Sequence, residues 1–167
     1  MSSKPSYIET LEKLKKFSPL ILELGGPILD DRIEKFEIKI GCRLPEDFKY
    51  FLRQHNSISL MGDNVYGLGE EMKGSSLDKV YEIEHFEVEN PMPKELLPFS
   101  PDGRGNHYCL DLSNISNGFA PVLFWQHDLD YDSKDEIEIT NDSFSDWVQE
   151  VLINWTLEDY NYDGSEK

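Results

Sequence analysis

Apolar side chains recur at helical spacing in several stretches of this chain. Tyr7, Leu11 and Leu14, with Ile8 beside them, form one stripe and predict a helix over 6–17. Ile33, Phe36 and Ile40 predict a second over 31–40, and Phe48, Phe51 and Leu52 a third that begins at Pro45. The longest stripe is Phe144, Trp147, Val148, Val151, Leu152 and Trp155, which predicts a closing helix over 143–157. Residues 76–88 carry Leu77, Val80, Tyr81 and Glu84 at helical spacing and do not alternate cleanly, so helix is favoured there too. Short runs rich in β-formers predict strands at 58–61, 64–68, 96–100, 106–112, 120–126 and 136–140.

Breakers and caps set the boundaries. Asp31 with Glu34 and Ser143 with Asp146 have the spacing of capping boxes, in which each side chain satisfies an amide left open at a helix start. Gly41 suits the left-handed residue that ends a helix, and Pro45 the first position of the next. Glu46 and Asp47 then lie where the helix dipole favours negative charge. Gly25-Gly26-Pro27 reads as a hinge or boundary, Gly62-Asp63 and Asp102-Gly103-Arg104-Gly105 as turns, and Asn90-Pro91-Met92-Pro93 as a loop. Helices at both ends with short strands between them give an α+β fold. The expected architecture is a single domain with a mostly antiparallel central sheet and helices packed on one face or end. Residues 1–29 make an N-terminal helix and hinge, 30–157 the main body, and 158–167 a polar tail expected to be disordered from about Asn161.

Charge changes this picture most. The 167 residues carry 33 acids and 16 bases, a net of −17. Residues 111–167 hold 14 of the acids and 2 of the bases, so the negative field is concentrated in the last third. Such a surface repels nucleic acid and anionic lipid and attracts a basic macromolecule. No apolar run is long enough to span a membrane, and the start MSSKPSYIET does not read as a signal peptide, so a cytoplasmic protein is expected. Cys42 and Cys109 read as reduced, buried thiols.

Candidate chemistry is sparse. Asp128, Asp130 and Asp132 alternate as a calcium loop does, but the sixth and twelfth positions are Ser133 and Ile139 where Gly and Glu are needed. His107, Cys109 and Asp111 share one strand face, and with His127 they are competent zinc ligands at a spacing unlike common zinc patterns. A mixed strand face, with Cys109 buried and the polar groups hydrogen-bonded, explains them better. A Cys-His nucleophilic pair lacks any orienting third group in the sequence. The glycines of 102–105 form a turn, without the spacing or the Lys-Ser/Thr ending of a phosphate loop. No catalytic residue, metal or cofactor is therefore assigned, and the chain is not expected to be an enzyme.

Four ordered segments carry a family resemblance: the paired helices around Gly41-x-x-Leu44-Pro45 with Asn56 after them, PFSPDGRGNHYCLDLS at 98–113, PVLFWQHD at 121–128, and NDSFSDWVQEVL at 141–152. Together they resemble the SMI1/KNR4 family, also called the SUKH superfamily, over roughly 30–155. One departure is Asn56-Ser57, where the family usually has Asn-Gly. The resemblance implies an immunity protein that binds and neutralises a cognate bacterial toxin in the cytoplasm. The resemblance also implies a nuclease as that toxin, since many partners of the family are nucleases, and the acidic surface is expected to occlude its basic active site. A regulatory protein-interaction module of the same family is the alternative. The expected contact surface is the loop at 127–136, with Asp128, Asp130, Tyr131, Asp132, Asp135 and Glu136, joined by Asp63, Glu70 and Glu71 of the 61–71 segment. The sequence leaves the oligomeric state open.

Overall fold

The structure is a computed structural model that describes residues 6–69 and 76–167. Helix α1 (Tyr7–Leu14) starts at Ser6, whose hydroxyl accepts the Glu9 amide at 3.2 Å. It buries Leu11 and Leu14, while Tyr7 is half-buried and Ile8 faces solvent. Strand β1 (Leu22–Leu24) leads to α2 (Asp30–Ile40) and α3 (Glu46–Gln54). Gly41 ends α2 in the left-handed conformation at φ 72°. Strands β2 (Ile58–Leu60) and β3 (Asp63–Val65) complete an antiparallel three-stranded sheet in the order β1-β2-β3.

Helix α4 (Leu77–Glu82) runs on into a π-helical turn at Ile83–Glu87, so the 76–88 segment is helical as its periodicity suggests. A second antiparallel sheet follows as a meander: β4 (Leu96–Pro101), β5 (His107–Asp111), β6 (Val122–Trp125) and β7 (Glu138–Asn141). The two sheets meet at β3 and β4, where the Tyr66 amide donates to the Phe99 carbonyl at 2.8 Å and the Ser100 hydroxyl to the Asn64 carbonyl at 2.6 Å. The last helix has three parts, α5 (Phe144–Trp147), a π-helical stretch at Val148–Asn154, and α6 (Trp155–Asp159). The fold is α+β with antiparallel sheets.

The faces of the second sheet are covered differently, and this positions the site. Leu97, Phe99, Leu110 and Val122 join the main core with the helices. Phe144 stands edge-on to Phe48 at 4.8 Å and to Phe51 at 5.1 Å, and Trp147 edge-on to Phe99 at 4.8 Å, the geometry that aromatic quadrupoles favour. Leu96, Cys109, Leu123 and Trp125 point the other way. They form a smaller cluster with Met92, Ile137 and the half-buried Tyr131, which come from loops.

Several details depart from expectation. Helix α2 begins one residue early with Leu29 at its cap, and no side chain caps it, so the Asp31–Glu34 box does not form. Asp30 instead pairs with Arg53 at 2.5 Å. Pro45 occupies the cap of α3 with extended backbone, one place before the position expected. The hairpin turn is Met61-Gly62, with φ of 50° and 91°, because Leu60 pairs with Asp63 and leaves those two residues between the strands. At the other end of α3, Asn56 is buried and clamps Leu68: its Nδ2 donates to the Leu68 carbonyl at 2.6 Å, and its Oδ1 accepts the Leu68 amide at 2.7 Å. Gly67 makes that approach possible, since a Cβ there would sit 1.6 Å from the Asn56 carbonyl oxygen. Neither Asn56 nor Ser57 has positive φ, so the Ser in place of the family's Gly is without strain.

The segment at 25–26 is stitched down. The Gly25 amide donates to the Ser57 carbonyl at 3.0 Å, and the Asn56 amide to the Gly26 carbonyl at 2.7 Å. The tail is ordered rather than loose. Asn161 and Ser165 close a turn, the Ser18 amide donates to the Tyr162 carbonyl at 2.7 Å, and the Tyr162 ring lies 4.7 Å from Phe17. An aromatic at 162 with a neighbour to cover outweighs the polar residues around it.

Candidate functional site

The loop from Gln126 to Ile137 crosses the second face of the β4–β7 sheet and is held at several points. Ile137 is buried, and the Tyr131 ring lies 5.1 Å from Trp125 while its hydroxyl accepts the Gln126 amide at 3.3 Å. The two hydrogens of Asn90 Nδ2 go to the His127 and Leu129 carbonyls, each at 3.1 Å. A 3-10 turn at Lys134–Glu136 closes the loop, and the Asp132 amide donates to Glu136 Oε2 at 3.0 Å.

The loop's cation is turned inward. Lys134 Nζ contacts Asp111 at 3.1 Å, Glu95 at 3.6 Å and the Ser113 hydroxyl. Burial works against charge on Asp111, yet hydrogen bonds from Ser113, Asn114 and Lys134 outweigh it and hold that carboxyl below the usual range. Asp128, Asp130, Asp132, Asp135 and Glu136 are all exposed, and among the described residues none has an ion-pair partner. The result is a fixed acidic ridge whose negative charges face solvent. Tyr131 serves mainly as its anchor on Trp125 and is only half exposed.

Asp63 is exposed at the start of β3, in the other sheet, and no hydrogen bond or ion pair among the described residues joins it to the ridge. Glu70 and Glu71 lie outside the described residues.

The polar strand residues have their own partners. Cys109 is fully buried with its thiol 4.0 Å from Met92 Sδ, and burial pushes its pKa well above the ordinary value, which disfavours a thiolate. Burial pushes His107 down to about 4, so its ring is neutral at physiological pH. Among the described residues no three His, Cys, Asp or Glu side chains converge on a common point as metal ligands.

One cluster escaped sequence reasoning. The π-helical turn after α4 brings Glu84, Val88, Glu89 and Asn90 against Gly105 and His127, around a cavity of about 520 Å³. Glu84 and His127 are 43 positions apart, and no local motif joins them. The only available signal is Glu84 itself, an acid placed on the apolar side of an otherwise regular helix.

Comparison with known proteins agrees with this architecture. The SMI1/KNR4 family model (SUKH-1) matches residues 27–150. The SPbeta prophage-derived uncharacterized protein YokK of Bacillus subtilis (strain 168) is 24% identical over a region covering 86% of this chain and 84% of its own length. The uncharacterized protein YnaB of the same organism is 32% identical, covering 67% of this chain and 65% of its own length. With the paired helices, the antiparallel meander and the start of the closing helix inside the matched region, the chain belongs to the SMI1/KNR4 family (SUKH-1).

Proposed function

We propose that this protein is an immunity protein that binds a cognate bacterial toxin, a basic nuclease, and neutralises it by covering its active site. It acts stoichiometrically in the cytoplasm and transforms nothing itself. A nuclease cleft must attract phosphate and is therefore lined with cations. A fixed array of carboxylates can occupy that cleft and draw the enzyme in by charge. The observation that carries this reading is the acidic ridge at 128–136, with Lys134 withdrawn beneath it and both of its ends anchored on the sheet. An anchored loop also loses little freedom on binding, so more of the interaction energy appears as affinity. Asp63, with Glu70 and Glu71 after it, supplies a second acidic segment to the contact.

The test replaces Asp128, Asp130, Asp132 and Asp135 together with Asn. These side chains are exposed and, among the described residues, have no ion-pair partner, so the fold should be retained. Association with a toxin co-purified from the native host should slow by on the order of tenfold at low salt. Association kinetics equal to the parent's would exclude the ridge as the contact surface.

A further inference from the structure

The Glu84 cavity has the composition of a receptor for one cation. Glu84 is only 14% exposed at its side chain, so its carboxylate has lost most of its water. No lysine or arginine among the described residues answers it. Two histidines face it: His107, 7% exposed, whose Nδ1 stands 3.6 Å from Glu84 Oε1 and makes no hydrogen bond, and His127 across the cavity. His107 is neutral at physiological pH, and burial raises the Glu84 pKa against a smaller opposing pull from His127. A carboxylate largely taken from water with no lysine or arginine beside it is costly, and here it borders open space.

The other wall of the cavity is built to accept hydrogen bonds as well. Asp102 Oδ2 accepts from Asn106 Nδ2 at 2.8 Å, which fixes the orientation of that amide. Asn106 Oδ1 then faces His127 and is 2.8 Å from its Nδ1, so Nδ1 must carry the proton. The other ring nitrogen of His127, Nε2, has no hydrogen-bond partner among the described residues. The ring lies against Gly105, where a Cβ would come within 2.9 Å of it. Glu89 adds a second carboxylate to the lining. The cavity therefore offers two carboxylates and an unpaired imidazole nitrogen, with no lysine or arginine among its lining residues.

We propose that this cavity is an anchor pocket for an arginine side chain of a protein partner. A guanidinium carries five N–H donors and no acceptor, in a planar fork that can reach a carboxylate on one edge and a ring nitrogen on another. An ammonium would answer the charge but not the divergent acceptors. A metal ion fits less well, because no three ligands converge among the described residues. Glu84 is carried by a π-helical turn, and such turns occur often at functional sites. His127 and Asn90 belong both to the pocket and to the mounting of the acidic ridge, so an inserted arginine would seat a basic partner against that ridge. The pocket deepens the immunity reading and rests on its basic partner, yet it can be examined without one.

The experiment titrates N-acetyl-arginine amide into the isotopically labelled full chain and follows amide and imidazole resonances by NMR. Saturable shifts at Gly105, Asn90 and His127 are expected. Glu84→Gln keeps the volume and should weaken binding by on the order of tenfold or more, the loss of a charge-assisted pair. His127→Gln, at an exposed position, should also weaken it and guards against a folding defect at Glu84. N-acetyl-lysine amide should bind more weakly than the arginine compound, and the ridge variant with four Asn should bind it like the parent. Shifts that do not saturate, or that persist unchanged in Glu84→Gln, overturn the pocket. This readout involves no toxin, so loss of the immunity reading would leave an arginine-binding pocket standing, and loss of the pocket would leave the ridge test intact.

Discussion

Two buried ionisable residues show how single side chains set the behaviour of the whole. Asp47 is fully buried at the start of α3, where its Oδ1 accepts the Phe48 amide at 2.9 Å and its Oδ2 the Ser145 amide at 2.9 Å. It thus ties the starts of α3 and α5 together across 98 positions of sequence. Asp47→Ala leaves both amides unsatisfied and should cost about 1–3 kcal/mol in urea denaturation. Burial raises Asp47 to about 6 despite those hydrogen bonds, and burial lowers His107 to about 4. The two have opposite signs. Between about pH 4 and 6 folded Asp47 holds a proton that the unfolded chain releases, so its contribution to stability grows on acidification. Folded His107 lacks a proton that the unfolded chain binds below about 6.5, so its contribution is present above that pH and is lost as pH falls towards 4. In the parent these slopes oppose each other. Asp47→Asn removes one of them, and its stability should fall more steeply than the parent's from pH 6.5 to 4, by up to about 1.4 kcal/mol per pH unit. Parallel pH profiles for the two proteins would show that Asp47 is ionised throughout. Asp47 was legible in the sequence as a helix-start acid; its burial was not, because that depends on where α5 begins.

At the level of elements, the closing helix separates what periodicity reveals from what it hides. Phe144, Trp147, Val148, Val151 and Leu152 are buried as their spacing predicts, but Trp155 is 49% exposed and Ile153 and Thr156 are buried in its place. The π-helical stretch at Val148–Asn154 holds more residues per turn than an α-helix, so the buried stripe slips by about one position beyond it. Trp155→Ala should therefore change stability by less than about 1 kcal/mol, whereas Leu152→Ala should cost about 2–5 kcal/mol. Comparable losses, measured by thermal or urea unfolding, would mean that the helix keeps α geometry in solution. The same limit explains other omissions. Strand β1 has three residues, Leu22, Glu23 and Leu24, too few to establish alternation, and it exists because β2 offers it hydrogen bonds. The Asp31–Glu34 capping box had the right spacing, but Asp30 was claimed by Arg53 on α3 and the helix started earlier. Apolar stripes were readable, as in α3, and so was the cap at Ser143, whose hydroxyl accepts the Asp146 amide at 3.1 Å. Short elements and π turns are decided by their neighbours.

For the molecule as a whole, net charge was the most readable property, and the structure adds where that charge can act. Sequence proximity placed five acids in the 128–136 loop, and the structure leaves all five exposed because Lys134 folds beneath them toward Asp111 and Glu95. The Glu84 pocket was unreadable for the opposite reason, since its walls come from a helix, a turn and a loop far apart in the chain. These two features predict different kinetics. The field of 14 acids in the last third reaches a basic partner before contact, over a distance set by screening. That reach is about 30 Å at 0.01 M salt and about 8 Å at 0.15 M. The association rate constant with a basic toxin should therefore fall by on the order of tenfold or more over that range, with a shallower salt slope in the variant lacking Asp128, Asp130, Asp132 and Asp135. Dissociation depends on contacts already made and desolvated, so Glu84→Gln should raise the off-rate while leaving the salt slope of association in place. Stopped-flow mixing across a salt series separates the two. An association rate indifferent to salt would assign the acidity to solubility alone, and a Glu84 variant that altered only association would make that residue one more member of the long-range field.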